Sequence, residues 1–322
     1  MHQNRREFIK SLGTAAASFG ILSGLSPITA FADRDKKLFF DISLAEWSLH
    51  RTLQSGKMTN MDFPAKAKND FGISAIEYVD QFFKDKAKDQ QYLNELKKRT
   101  TDLGVRNVLI MVDTAGPLAD LDDTKRKGAV ENHYQWIDAA KFLGCHSIRV
   151  NLSGKGSAED MSKAAVDGLG RLSEYGAKNK IGVVVENHGG NSSDGKWLVN
   201  VMQQVNNPYC GTLPDFDNFC ITRETASANG NPRVCINEYD RYKGTEEMMP
   251  FAKGVSAKSR DFDGQENEVK IDFTQLLQIV KKGKTAAFQG YIGIEYSGER
   301  LSEDQGIRAT KLLLERVGQA IS

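Results

Sequence analysis

The sequence predicts an α/β protein built as a single (β/α)8 TIM barrel, and three observations predict it. From Lys37 onward short apolar runs alternate with longer amphipathic ones, eight of the short runs can be counted, and several long segments close on glycine just before the next apolar run. An open doubly wound sheet would carry a glycine-rich phosphate turn after its first strand, and "SLAEWSLHRTL" has none. The domain is expected over residues 33–322 without an internal linker.

In chain order the strand candidates are "LFFDISLAEW", "ISAIEYVD", "RNVLIMVD", "HSIRVNLSG", "GVVVENHGG", "GTLPDFDNF", "GVSAKSRDF" and "YIGIEYSG". Between them lie segments of helical spacing, such as "DDTKRKGAVENHYQWIDAAKFLG" and "SAEDMSKAAVDGLGRLSEYGAKNK". Gly72, Gly104, Gly144 and Gly254 stand where a left-handed helix cap is expected. The polar stretch from Cys220 to Asn237 reads as an excursion at the strand-end face. Cys220 and Cys235 lie within it and are as well placed to pair as to stay apart, while Cys145 and Cys210 precede apolar runs and read as packed thiols.

Ahead of the barrel, "NRREFIK" sets Arg5 and Arg6 before an apolar run from Leu12 to Leu25, followed by Ala30, Phe31 and Ala32. This is the pattern of a twin-arginine export signal over residues 1–32, which predicts a periplasmic or otherwise exported protein. No other stretch approaches transmembrane length, so no membrane association is expected once the signal is removed. The chain carries 43 Lys and Arg against 42 Asp and Glu, a net charge of +1, which gives no electrostatic footprint for nucleic acid.

Active sites of such barrels lie at the C-terminal ends of the strands, so a polar residue that ends an apolar strand points at substrate. Trp47, His50, Glu77, Asp113, Arg149, Asn151, Glu186, His188, Asp215, Asn218, Lys258 and Glu295 hold such positions. Glu186, Asp215 and Glu295 stand out because each follows a near-continuous apolar or small run. Carboxylates so placed repel one another in a low dielectric unless a cation or donors sit between them, which points to a divalent metal. Oxygen ligands favour Mn²⁺ or Mg²⁺, and added nitrogen ligands move the preference toward Zn²⁺ or Co²⁺.

Arg149 is open to two orientations, toward substrate or toward a structural carboxylate. Glu77 is open to three roles: substrate ligand, group that orients another ligand, or plain inward-facing polar residue. Trp47 suits a platform for a sugar ring face and also suits a core. His50 and His188 are expected to line the pocket; His133, inside a helix, and His146, at a strand start, are not.

The motifs "VVVENHGG", "LPDFDNF", "GVSAKS" and "GYIGIEY", in this order at strand spacing, resemble the xylose isomerase-like barrel superfamily of sugar phosphate isomerases and epimerases. That resemblance implies a divalent metal held by Glu on strand five, Asp on strand six, His on strand seven and Glu on strand eight. Glu186, Asp215 and Glu295 match. The strand-seven position, two before Lys258, is Ser256, so the implied ligand set is Glu186, Asp215, Ser256 and Glu295, with Lys258 as a fixed cation beside it.

The resemblance implies proton transfer next to a carbonyl of a small carbohydrate, with Glu186 and Glu295 as catalytic acid and base and Trp47, His50, Glu77, Arg149, His188, Asn218 and Lys258 as substrate contacts. The same apparatus would serve elimination from a 3-keto-glycoside. A carbohydrate-binding barrel without catalysis is the alternative of a different class. The export reading predicts that replacing Arg5 and Arg6 together by Lys blocks translocation, measured by fractionation. Undiminished export from a strain lacking the twin-arginine translocase would contradict it.

Overall fold

The computed structural model describes residues 37–224, 234–286 and 288–322; the expected export segment, residues 1–32, lies outside the described residues. Eight strands form one parallel sheet: Asp41–Ala45, Ala75–Val79, Arg106–Val112, Ser147–Val150, Gly182–Glu186, Cys210–Leu213, Val255–Ser259 and Tyr291–Tyr296. Each coincides with one of the eight apolar runs. They are called barrel strands one to eight below.

Strand one pairs with both strand two and strand eight, and the ladder continues in order to strands six and seven at its two ends. The ring closes there through two short parallel bridges, Thr212 to Ala252 and Asp215 to Ser256. Pro214 has no N–H to give, but its carbonyl accepts the Ser256 N–H at 2.9 Å, and Phe216 N–H reaches the Ser256 carbonyl at 3.1 Å. This seam sets Asp215 beside Ser256 at the mouth of the barrel.

The two-residue period of a strand decides which side chains face the barrel axis. Val183 and Val185, Val255 and Ala257, Ile148 and Val150, and Ile292, Ile294 and Tyr296 pack outward in the core shared with the helices. Val184, Leu213, Leu109, Met111 and Val79 form the separate inner core. By the same parity Arg149, Glu186, Ser256, Lys258, Gly293 and Glu295 project inward, and Arg149 there meets both readings, lining the cavity while paired with Asp113 and Glu186.

The helices end as their sequences require. Asp122 caps Asp123–Leu143 by accepting the Lys125 N–H at 3.0 Å, and Ser157 caps Ala158–Asn179 through the Asp160 N–H at 3.1 Å. Gly144 stops the first of these in the left-handed region at φ 85°, as Gly72 and Gly104 do elsewhere. Gly254 is not such a cap. The helix Arg241–Met248 runs into a 3-10 turn over Met249–Phe251 and leaves it extended at Ala252; Gly254 serves close packing, since a Cβ there would meet Leu213 Cδ1 at 3.0 Å.

The loop after strand three, which forms one wall of the barrel mouth, lies directly on the helix Ala158–Asn179. A Cβ on Gly168 would fall 2.2 Å from the Leu118 carbonyl oxygen, whereas one on Gly170 would meet nothing within 4 Å. Two glycines of one helix should therefore respond to alanine with opposite signs. Gly168→Ala is expected to lower the unfolding free energy by about 1–3 kcal/mol through overpacking, and Gly170→Ala to raise it by roughly 0.5–1 kcal/mol through helix propensity. Urea unfolding of the two variants checks both, and equal signs would overturn the packing argument.

Candidate active site

Barrel strands five, six and eight deliver Glu186, Asp215 and Glu295 to one buried place, where a ligand oxygen from each lies within 4.8 Å of the others. Burial, with neighbouring acids adding to it, pushes Glu186 up to about 7 and Asp215 up to about 8, although Arg149 and Lys258 pull against it. Burial acts on Glu295 as well, but the contacting Lys258 ammonium overrides it and holds this carboxyl below its ordinary value. Lys258 also lies 4.0 Å from Asp215. Its own pKa is raised, since the attraction of Glu295 and Asp215 outweighs the cost of burial.

Ser256 sits between two of these carboxylates, its Oγ 2.9 Å from Asp215 Oδ2 and 3.2 Å from Glu295 Oε2. Arg149 bridges strands three and five. It pairs with Asp113 and places Nε 2.8 Å from Glu186 Oε2, at ion-pair distance without hydrogen-bond alignment. Asn151 donates to Asp113 at 2.8 Å, and Gln81 donates to its other oxygen at 3.0 Å. Burial works against ionisation of Asp113, yet the Arg149 guanidinium holds its carboxyl far below the usual range.

Asn187 fixes the end of strand six. Its side-chain oxygen accepts the Asp215 N–H at 2.7 Å, and its amide donates to the carbonyls of Asp215 at 3.0 Å and Asn218 at 3.2 Å. Asp215 Oδ1 in turn accepts the N–H groups of Asp217 and Asn218, each at 2.8 Å. Asn218 closes the loop by donating to Glu186 Oε1 at 3.2 Å. The strand-end carboxylates are thus oriented by amides as well as by cations.

A cavity of about 650 Å³ opens above this cluster. Trp47, His50, Arg149, His188, Asn218, Lys258 and Glu295 line it, as do Asp113 and Asn151. Trp47 stacks on His50 with ring centroids 4.8 Å apart and planes 11° from parallel, and Phe82 supports it from behind at 6.2 Å. His50 Nδ1–H donates to the Trp47 carbonyl, 2.7 Å away.

Of the acidic centre only Glu295 lines the cavity, with Glu186, Asp215 and Ser256 buried beside it. Glu77, expected among the substrate contacts, does not line the cavity either. It is buried, takes the Ser43 hydroxyl at 2.6 Å, and fills the space over Gly293, where a Cβ would stand 2.7 Å from both its oxygens. Gly293 precedes Glu295 by two residues on strand eight, so the Glu77 carboxyl lies one layer below the cluster. Burial is the main reason its pKa rises to about 7. His133 departs from expectation in the other direction. It is only 2 % exposed on its helix, as a packing residue would be, but it lines the cavity while Nδ1 contacts the Ala129 carbonyl at 2.7 Å.

His146 is half-buried at the opposite end of strand four, bonded to Ser147, and is not among the lining residues. Cys220 and Cys235 form a disulfide at the base of an antiparallel ribbon, Cys220–Arg223 with Cys235–Glu238, and Cys145 and Cys210 are free and buried. Residues 225–233 of this excursion lie outside the described residues. The ribbon follows Asn218, whose carbonyl also takes the Ser193 hydroxyl at 2.6 Å and so ties the ribbon to the loop that carries His188.

Sequence reasoning missed Asn187, Gln81, Arg260 and His133. Asn187 had a signal, since it stands between two strand-end candidates in "VVVENHGG". Arg260 and Gln81 had one too, since Arg260 directly follows strand seven in "GVSAKSRDF" and Gln81 comes two residues after strand two. His133 reaches the cavity from within a helix, which carries no strand-end pattern.

The arrangement defines an α/β barrel with a buried acidic centre at the C-terminal ends of its strands. Residues 65–316 match the family described as Xylose isomerase-like TIM barrel, and the chain belongs to that family. Among solved structures it is similar to the IOLI protein with a bound zinc atom, at 14 % identity and a TM-score of 0.64, covering 87 % of this chain and 98 % of that one. It is similar to the 3-keto-D-glucoside 4-epimerase YcjR from E. coli at 14 % identity and a TM-score of 0.59, covering 86 % and 99 %. A xylose isomerase-like barrel from Mycobacterium smegmatis in complex with magnesium aligns at 13 % identity and a TM-score of 0.61, covering 88 % and 98 %. At these identities the likeness is one of fold. No curated protein matches the chain in sequence.

Asn187 gives this site its most direct test of orientation. Asn187→Ala leaves the N–H and carbonyl of Asp215 without these partners, while the Asn218 carbonyl keeps the Ser193 hydroxyl, and should lower the unfolding free energy by at least about 2 kcal/mol. Because the same amide holds Asp215, Mn²⁺ binding should weaken roughly tenfold or more. Lost stability with an unchanged Mn²⁺ titration would make Asn187 a fold residue only.

Proposed function

We propose that the chain is an exported, divalent-metal-dependent isomerase or epimerase that moves a proton at the carbon beside a carbonyl of a small carbohydrate. The buried convergence of Glu186, Asp215 and Glu295 carries this reading. The family and the similarity to an epimerase of a 3-keto-D-glucoside support it. Export rests on Arg5 and Arg6 ahead of an apolar run that ends near Ala30 and Ala32.

The donor chemistry fits a hard divalent ion: three carboxylates with a hydroxyl, Ser256, between two of them. Glu186, Asp215 and Glu295 would hold it. An all-oxygen set suits Mn²⁺ or Mg²⁺, and a nitrogen from His188 would move the choice toward Zn²⁺ or Co²⁺. When bound, such an ion supplies a Lewis acid that polarises the carbonyl.

The proton is handled by the protein's own groups. Glu186 and Glu295 reach the site from strands three places apart in the ring, one beside Arg149 and the other beside Lys258, and serve as general acid and base. The stacked Trp47 and His50 offer an apolar face to a sugar ring, while Asn218, His188 and Lys258 present polar groups on the cavity wall. Glu77 acts from below, as an inward polar layer under Glu295, and not on substrate.

Deuterium uptake from D2O into a panel of ketoses and 3-keto-glycosides, with and without added metal, tests the reading. Metal-dependent uptake without loss of a substituent is the expected result, whereas release of the glycosidic substituent would identify elimination. Glu186→Gln and Glu295→Gln, each folded by circular dichroism, should lose at least about a hundredfold in rate, since general acid–base steps contribute roughly 10² to 10⁴. Rates within threefold of the parent protein for both would leave a binding barrel as the better description.

A further inference from the structure

Three cations line the cavity, Arg149, Lys258 and Arg260, and each is already in contact with a carboxylate. Arg149 is held by Asp113 and Glu186, Lys258 by Glu295 with Asp215 behind it, and Arg260 by Asp217. Five carboxylates thus surround three cations. No lining cation among the described residues is left to meet a negative charge on a substrate. Three histidines also line the cavity. His50 turns Nδ1 to the Trp47 carbonyl with Glu303 3.8 Å away, burial together with the Arg149 and Lys258 charges disfavours protonation of His188, and burial lowers the pKa of His133 to about 4.

Barrels that bind phosphorylated substrates commonly hold the phosphate on the loops after strands seven and eight and at a nearby helix N-terminus. Here the chain's own acids occupy those positions. In the loop after strand seven, Glu268 is buried and takes four backbone N–H groups: Lys270 at 2.6 Å, Ile271 at 2.7 Å, and Arg260 and Asp261 at 3.3 Å each. A cradle of amides that could seat an anion has a carboxylate built into it.

The helix that follows, Phe273–Gly283, has its N-terminal amides taken by Asp272, at 2.8 Å from Thr274 N and 3.1 Å from Gln275 N. The helix after strand eight, Glu303–Ile321, is capped by Ser302 and carries Glu303 and Asp304 in its first turn. Glu303 is itself bonded to the backbone of Arg51 and Thr52. Negative side chains at both N-termini cancel the field that would draw a phosphate.

We infer that the site is built for an uncharged carbohydrate and discriminates against phosphorylated and acidic sugars. This rests on the carbohydrate reading above and narrows it. An anion entering the cavity would have to displace a carboxylate from its own cation, and like-charge contacts at such a surface act against the wrong ligand.

The test is equilibrium binding, by dialysis at low salt, of matched pairs that differ only in the phosphate. The pairs are D-fructose with its 6-phosphate, D-glucose with its 6-phosphate, and methyl glucoside with its 6-phosphate, each on metal-loaded protein. The neutral member of any pair that binds should be favoured by at least about tenfold. Asp217→Asn, which releases Arg260 on the cavity wall, should shift that ratio about three- to fivefold toward the phosphorylated member. Tighter binding of a phosphorylated member to the parent protein, or no shift in the variant, overturns the inference and leaves the carbohydrate reading standing. Binding of no member of any pair, neutral or phosphorylated, overturns both.

Discussion

Glu186, Asp215 and Glu295 bring acidic oxygens within 4.8 Å of one another in a place closed to bulk water. Like charges so close in a weakly screening interior are tolerated only with cations and donors packed among them. The surroundings of the three follow from that constraint. Lys258 is set against Glu295, Arg149 against Glu186, and Ser256 donates between Asp215 and Glu295. The amides of Asn187 and Asn218 fix the remaining oxygens and the backbone that carries them. A polar layer lies underneath as well, where Glu77 over Gly293 takes the Ser43 hydroxyl in place of an apolar plug.

Strand geometry supplies the positions that electrostatics then exploits. Alternation along strand eight turns Gly293 and Glu295 inward while Ile292, Ile294 and Tyr296 pack against helices. The same rule on strand seven presents Ser256 and Lys258, two residues apart, so that the donor and the cation arrive on one face beside the acids they serve. The seam between strands six and seven is hydrogen-bonded at only two places, one of them Asp215 against Ser256. Closure of the barrel and assembly of the site are therefore one event at that seam.

These rules explain what could be read from the sequence. Eight strands were legible because parallel strands covered on both faces become uninterrupted apolar runs, and a carboxylate ending such a run is conspicuous. Glu186, Asp215 and Glu295 were found for that reason. The partner of Arg149 was not legible from its own run, since Asp113 and Glu186 reach it from the neighbouring strands three and five. Of the three roles open to Glu77 the inward-facing polar one fits its place on Ser43 and over Gly293. The sequence could not choose because strand ends mark height on the axis only to within a residue or two, and strand two carries a register shift at Ile76 and Glu77. Gly254 looked like a cap by position, but the short turn before it left the helix early. Arg260 and Gln81 stand just past the ends of strands seven and two and were passed over behind the carboxylates, whereas His133 depends on helix packing, for which a single chain offers no strand-end pattern.

The residue at position 256 decides how the charge balance is kept. A neutral imidazole there would offer one nitrogen lone pair to a metal and one N–H to an acid. A serine hydroxyl has one O–H, which lies between Asp215 at 2.9 Å and Glu295 at 3.2 Å and eases their repulsion directly. It leaves the acidic centre with oxygen donors alone and makes Lys258 the nearest fixed cation. A divalent ion entering this centre must share Glu295 with that ammonium, so its hold depends on how far Lys258 can withdraw toward the cavity it lines. On the proposed function, substrate contact at Lys258 and ion affinity at Glu295 would in this way be linked through one hydrogen bond. A ligand that draws the ammonium into the cavity frees the carboxylate for the metal, and by the reciprocity of linkage the metal strengthens that ligand's hold.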